Sequence, residues 1–327
     1  MLLVTGAAGY IGSHFVREVL SETATTKILA VDNLSTGHRE SLPGDERVLF
    51  VEADIVDQSY MKDLMIEHKI QAVVHFAASC YVGESESDPF KYFNNNIVKT
   101  TSLLQAMDAA NVRQMVFSSS CATYGEPERM PITETFPQRP INVYGQTKYI
   151  IEQLLQTLNR KGKLNYVALC YFNAAGAHAS GDIGESHQPE THLIPNALAV
   201  LTGELDCLEI FGDDYDTRDG TCIRDYIHVC DLARAHTAAL QLTKMDSCAQ
   251  RINLGTGYGA TVKEVVSLCE EVSEKKIPVR VLPRRPGDPA SLIADYALAK
   301  SLLGWEPEHD LKSIVNSAWR WEQRRRY

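Results

Sequence analysis

Residues Met1 to Leu20 read MLLVTGAAGYIGSHFVREVL, and this stretch decides the fold. The apolar run Met1–Val4 leads into Gly6-x-x-Gly9-x-x-Gly12, after which Ile11, Phe15, Val16, Val19 and Leu20 recur at helical spacing. The order is strand, tight turn, helix. Glycine belongs where the backbone must turn to positive φ or approach a phosphate with no Cβ in the way. A helix starting there offers free N–H groups and the positive end of its dipole to an anion. A second apolar run, Ile28–Val31, ends in Asp32, twenty residues beyond Gly12. An acid at that position suits the 2′-hydroxyl of NAD and repels the 2′-phosphate of NADP. The segment reads as a dinucleotide site.

Working outward, strand-like runs continue at Val48–Val51, Ala72–Phe76, Met115–Ser118 and Tyr166–Leu169. Helical patterns lie near 12–22, 58–69, 89–110 and 143–161. Such alternation predicts parallel strands with right-handed crossovers, a doubly wound α/β sheet of the Rossmann type. This domain is expected over residues 1–172. Beyond Phe172 the texture changes. Residues 173–192 are small and polar and read as a long functional loop. A smaller α/β substrate lobe is expected over 173–327, with some of its segments returning to the first domain. Within it, Gly255-Thr256-Gly257 lacks the spacing of a second dinucleotide turn, and Thr261 with Glu264 predicts a capping box.

At 327 residues the chain suits two domains, or one large domain with a grafted lobe. No run of about 18 apolar residues predicts a membrane span. The first strand starts at once, so no signal segment is expected in this sequence. Eight cysteines without a CxxC pair suggest reduced thiols and a cytoplasmic protein. A net charge of −10 argues against nucleic acid or anionic membrane as partner.

Reactive side chains fall at the carboxyl ends of strands, where ligands of open α/β sheets bind. The fifth run ends in Ser118, Ser119 and Ser120. Tyr144-Gly-Gln-Thr-Lys148 opens a helix and puts a phenol and an ammonium one turn apart on one face. A free tyrosine, with a pKa of about 10, is a poor base at neutral pH. Lys148 and the charge of an oxidised nicotinamide are expected to lower it, so that the phenolate can take a proton from an alcohol.

The glycine turn, the strand-end serine and Tyr144-x-x-x-Lys148 resemble the extended short-chain dehydrogenase/reductase superfamily. Longer strings resemble its UDP-hexose 4-epimerase branch: VDNLSTG (31–37), HFAASCYVGES (75–85), FSSSCATYGEP (117–127), YFNAAGA (171–177), IFGDDYDTRDGTCIRDYIHVCDLA (210–233) and RRPGDPASLIAD (284–295). They span nearly the whole chain. The resemblance implies that Gly6, Ala8, Gly9, Tyr10, Ile11 and Gly12 hold the pyrophosphate of NAD. It places Asp32 and Asn33 at the adenosine ribose and Asp54 and Ile55 at adenine. Phe76, Ala77, Ala78, Asn96 and Ser118 fall along the cofactor path. Ser120, Tyr144 and Lys148 match the catalytic positions, Lys148 also gripping the nicotinamide ribose. Tyr171 and Phe172 match positions beside nicotinamide and sugar, and Asn173 a sugar-nucleotide contact. His192, Leu193, Phe211, Arg224, Arg285 and Asp288 match a nucleotide clamp, and Leu292 a position that gates the sugar pocket. A UDP group does need a guanidinium for its diphosphate, a slot for uracil and a carboxylate for ribose. The alternative for each of Arg224 and Arg285 is a structural ion pair.

The activity so implied is the interconversion of UDP-galactose and UDP-glucose through a 4-keto sugar, by a homodimer joined through helices near 90–110 and 145–160. Other UDP sugars (N-acetylated, pentose or uronate) stay open, because Leu292 is intermediate between the large and small gate residues. A 4,6-dehydratase would need an Asp-Glu pair where Cys121 and Ala122 stand. A non-catalytic NAD sensor would have no use for Ser120, Tyr144 and Lys148 together. No metal is expected, because His178, His187 and His192 match no ligand spacing. Two departures are Cys80, where some members carry a lysine reaching the cofactor phosphates, and Cys170, where arginine is common.

Overall fold

The computed structural model describes residues 1–285 and 288–327. The first half alternates strictly. Strands β1 (Leu2–Thr5), β2 (Ile28–Asp32), β3 (Val48–Glu52), β4 (Ala72–His75), β5 (Gln114–Ser120) and β6 (Asn165–Tyr171) are joined by helices. These are α1 (Tyr10–Glu22), α2 (Gln58–Glu67), α3 (Val82–Ser87), α4 (Pro89–Tyr92), α5 (Lys99–Ala109) and α6 (Val143–Arg160). The second half holds β7 (Asn173–Ala175), α7 (Leu193–Thr202), β8 (Leu208–Phe211), β9 (Ile223–His228), α8 (Val229–Leu242) and β10 (Ala249–Leu254). Then follow β11 (Gly259–Thr261), α9 (Val262–Ser273), β12 (Val279–Leu282), β13 (Ser291–Leu292), α10 (Ala297–Leu303) and α11 (Leu311–Glu322).

Seven parallel strands form the main sheet in the order β10-β6-β5-β4-β1-β2-β3. The order reverses between β1 and β4. That is the switch point, where an open α/β sheet leaves a crevice at its carboxyl edge. Its strands are nearly continuous apolar runs because both faces are covered. One face packs on Phe15, Val16 and Val19 of α1 and Leu232 of α8, with Ala299 and Trp305. The other packs on Met61 and Met65 of α2, Leu103 and Met107 of α5, and Ile151 and Leu155 of α6.

In the other lobe β9 pairs with β7, β11 and β13, and β8 with β12, over a core drawn from α7, α9 and α11. The chain does not stay there. Between the lobe's strands it returns to the main sheet as α8 and β10, and again as α10. The expected loop at 173–192 begins as β7, because Asn173–Ala175 pairs with Tyr226–His228. The helix expected over 89–110 is interrupted at Phe93–Val98 by a stretch of π-helix. Its Asn96 turns inward there, donating to the Ser79 carbonyl (2.9 Å) and Thr147 Oγ1 (3.1 Å) and accepting from Ser79 N–H (2.8 Å).

Candidate active site

Gly6 sits at φ +68°, and a Cβ there would lie 2.5 Å from the Ala77 nitrogen, so the turn must press on the segment after β4. A Cβ on Gly12 would lie 2.1 Å from the Gly6 oxygen, which fixes how closely α1 can dock on the turn. Gly9 caps α1 without a side-chain bond, and the first turn holds no acid. Its N–H groups therefore have no intrahelical acceptor and suit an anion. At the end of β2, Asp32 Oδ2 accepts from Ala8 N–H and Oδ1 from Leu34 N–H, both at 2.9 Å. Burial raises its pKa, against four backbone N–H groups that favour the carboxylate. Beside it Asp54 accepts from Asn33 (3.1 Å) and Lys99 (2.6 Å). An uncapped helix start, glycines that keep the turn tight and a carboxylate with free lone pairs together fit a dinucleotide.

From this end one cavity of about 2050 Å³ runs across the sheet edge into the second lobe. It is lined by every expected site residue except Ala8, Asn96 and Ser118. Those three are buried behind the wall. Ala8 and Asn96 act through the bonds given above, and the Ser118 hydroxyl meets His236 Nε2 at 3.1 Å.

At mid-cavity Ser120 ends β5, and Asn142 caps α6 through Gly145 N–H, fixing the start of the Tyr144 helix. Lys148 Nζ donates to the Ser118 carbonyl at 2.7 Å and lies 5.8 Å from the Tyr144 ring. Burial lowers the lysine to about 8. Burial also pushes Tyr144 well above 10, while the Ser120 hydroxyl draws it back. Desolvation is the largest influence on the phenol here and opposes the lowering expected from Lys148 and an oxidised nicotinamide together. A positive charge bound against the phenol is what can reverse it.

Sequence reasoning missed what lies one turn further. Glu152 is buried, accepting from Ser119, from Gln138 (2.8 Å) and from the Cys170 thiol (3.6 Å). Cys170 thus fills the wall beside a carboxyl whose pKa burial raises. An i+4 spacing from Lys148 was the available signal. Cys121 is raised to about 12 by burial, which makes it no acid–base substitute for a dehydratase pair. Cys80 is exposed on the cavity rim.

At the far end Arg224 pairs with Asp288, and the Arg285 guanidinium lies 3.8 Å from the Phe211 ring centroid. Arg224 is thus an ion pair as well as a cavity residue. Leu292 sits opposite it in the β9–β13 register. Behind them buried Asp225 accepts from Thr256 and Gly257 N–H and from Ala294 N–H, anchoring the second glycine cluster. The Thr261–Glu264 capping box is formed. His192 lines the cavity and also takes part in a charged cluster. Its Nδ1 faces Glu190 and Glu185 at 2.8 and 2.9 Å, beside His187. Burial opposes charge on both rings, but Glu185 and Glu190 outweigh it, raising His192 well above its ordinary value and His187 to about 9.

Comparison with known proteins bears on this geometry. The sequence model described as the NAD-dependent epimerase/dehydratase family matches residues 2–255. The chain belongs to the NAD-dependent epimerase/dehydratase family. A relative from Rhizobium leguminosarum bv. trifolii, named UDP-glucose 4-epimerase, is 46% identical over 98% of this chain and 96% of its own. Among solved structures, the UDP-glucose-4-epimerase of Stenotrophomonas maltophila superposes with a TM-score of 0.94 at 42% identity. It covers 99% of this chain and 98% of that one, and holds NAD and formylated UDP-arabinopyranose. The UDP-glucose 4-epimerase of Brucella ovis, in complex with NAD, gives 0.93 at 47% identity over 97% of both chains. Both solved structures share the overall fold of this chain over nearly its whole length.

Proposed function

We propose that this chain interconverts UDP-galactose and UDP-glucose, with NAD bound in the first domain. The observation that carries the reading is the single cavity joining the glycine turn, the Ser120–Tyr144–Lys148 group and the Arg224–Arg285 end. The chain's full-length similarity to named UDP-glucose 4-epimerases agrees with it.

The glycine turn and the start of α1 would hold the pyrophosphate, Asp32 the adenosine ribose and Lys148 the nicotinamide ribose. NAD, when bound, supplies the two-electron acceptor that takes hydrogen from C4 of the sugar and later returns it. Tyr144 takes the proton of the 4-hydroxyl as the 4-keto sugar forms, with Ser120 orienting that oxygen, and gives it back afterwards. Arg224, Arg285 and Phe211 hold the UDP while the wide middle of the cavity lets the sugar present its other face. Leu292, opposite Arg224, bears on how large a C2 substituent fits. A homodimer through α4, α5 and α6 suits the exposed Phe90, Phe93 and Val98. Eight free cysteines suit a reducing compartment such as the cytoplasm.

The test is purified protein given UDP-galactose without added cofactor, with UDP-glucose followed by a coupled assay. Turnover supports both the reaction and resident NAD, and UDP-GalNAc then defines the breadth of the pocket. No turnover with NAD⁺ supplied refutes the reading. Light scattering giving twice the chain mass supports the dimer, and the mass of one chain rejects it.

A further inference from the structure

Four side chains within eight residues, Glu185, His187, Glu190 and His192, converge just before α7, their ligand atoms all within 4.8 Å of one another. His192 Nδ1 faces a Glu190 oxygen at 2.8 Å and a Glu185 oxygen at 2.9 Å. His187 Nδ1 faces the same two residues at 3.4 and 3.6 Å, is buried, and makes no hydrogen bond. A buried ring nitrogen without a partner calls for an explanation. The longer pair of separations exceeds ordinary hydrogen-bond length. They lie close to the edge of a tetrahedral ion, about 3.3 Å for bonds of about 2.0–2.1 Å, and an ion between the four groups would need the His192 pairs, now at 2.8 and 2.9 Å, to open slightly.

Charge pairing holds His192 at hydrogen-bond length but reaches His187 only at 3.4 and 3.6 Å. A shared cation uses all four groups. Two imidazoles with two carboxylates suit a zinc-class divalent ion, whereas calcium and magnesium prefer an all-oxygen set. We infer that Glu185, His187, Glu190 and His192 form a zinc-class divalent metal site that pins the 176–192 segment over the cofactor end of the cavity.

The location gives the site its effect. The segment reaches from the second lobe to the dinucleotide domain: Tyr10 donates to the Gly176 carbonyl (2.6 Å), Arg17 pairs with Asp182 (2.9 Å), and Trp321 donates to the Glu185 carbonyl (2.8 Å). The His187 ring lies 6.3 Å from Tyr10, in the first turn of α1, and 5.8 Å from Tyr81 in the loop after β4. A cation there fixes the shape of the 185–192 segment, which packs on the first turn of α1 and on the loop after β4. It takes no part in the chemistry at Tyr144. The retention of NAD that follows rests on the cofactor reading; the metal site itself does not.

The experiment uses untagged full-length protein treated with EDTA, its NAD content measured, then titrated with Zn²⁺ by calorimetry. One zinc per chain is expected, with an anomalous peak at the zinc edge between the four side chains in a soaked crystal. The Glu185→Gln/Glu190→Gln variant is expected to bind zinc more than about 100-fold more weakly. His178→Ala, altering a histidine outside the cluster, is expected to bind it like the parent. Zinc is expected to slow NAD release several-fold in the parent and leave the double variant unaffected. The crystal peak needs no variant, so it decides the matter if the substitutions disturb folding. Absence of stoichiometric zinc, an anomalous peak elsewhere, or undiminished zinc binding by a folded double variant overturns the site. Zinc binding by a protein that does not epimerise would reject the proposed function and keep this site.

Discussion

Tyr144 and Lys148 are both buried, and burial acts on them in opposite senses: it keeps the phenol protonated and makes the ammonium costly. Tyr144→Phe removes the proposed proton acceptor and leaves the cavity shape. A fall in kcat of roughly 10³- to 10⁴-fold is expected, with UDP affinity kept within a few-fold, measured by the coupled assay and by calorimetry. Near-normal turnover would end the assignment of the base. Lys148 gives a second test. Its pKa is lowered to about 8 in the fold, against 10.5 when exposed. The unfolded chain therefore binds more protons between those values, and stability rises with pH across that window. Below about pH 8 the full cost of the buried charge applies, on the order of 3 kcal/mol. Lys148→Met in NAD-free protein should melt several degrees higher than the parent at pH 7. The gap should close toward pH 10. A variant that melts lower at pH 7, by calorimetry, would contradict this account of the lysine.

At the scale of elements, the legible parts are those that local sequence controls. The period of apolar residues located β1 to β6 and their helices, and glycine spacing located the turn before α1. Thr261 and Glu264, three residues apart, announced their own cap. What could not be read came from contacts distant in sequence. Glu152 becomes a buried carboxyl only because Ser119, Gln138 and Cys170 surround it. The π-helical stretch at 93–98 exists where Asn96 must reach Ser79 and Thr147. His187 and His192 carry no recognised spacing until the fold adds Glu185 and Glu190. Asp225 belongs to this group. It sits in β9 yet satisfies the N–H groups of Thr256, Gly257 and Ala294. Asp225→Ala strands the buried Thr256 and Ala294 N–H groups and the Thr256 hydroxyl, a loss of about 3 kcal/mol or more and, in a chain of this length, a Tm lowered by roughly 4–6 °C. Because Arg224 and Leu292 flank it in the β9–β13 pair, KM for the UDP sugar should rise more than kcat falls. A Tm within about 1 °C of the parent by scanning calorimetry would show that the network carries little weight.

For the molecule as a whole, the main sheet and its helices are not confined to the first half of the chain. One face of the core combines Leu2, Val4 and Phe15 with Leu232, Ile252, Leu254, Ala299 and Trp305. A chain ending at residue 172 lacks all five of the latter and leaves β6 as a bare apolar edge. Such a fragment is expected to aggregate, or to show neither a cooperative melt by circular dichroism nor NAD binding. A soluble fragment with a sharp melt and bound NAD would show that the first six strands suffice.

The path of the main sheet also sets a timetable. Tyr171 completes β6, but its neighbour β10 ends at Leu254, roughly 80 residues later in synthesis. At about 5–20 residues per second this is an interval on the order of 4–16 s. During it the ribosome carries a nascent chain with its glycine turn, Tyr144 and Lys148 already made and one side of its sheet open. The residues proposed to hold the cofactor are thus among the first synthesised, while β10 and Trp305, which complete their platform, come late. Any chaperone that meets this protein should meet it at the unpaired edge of β6.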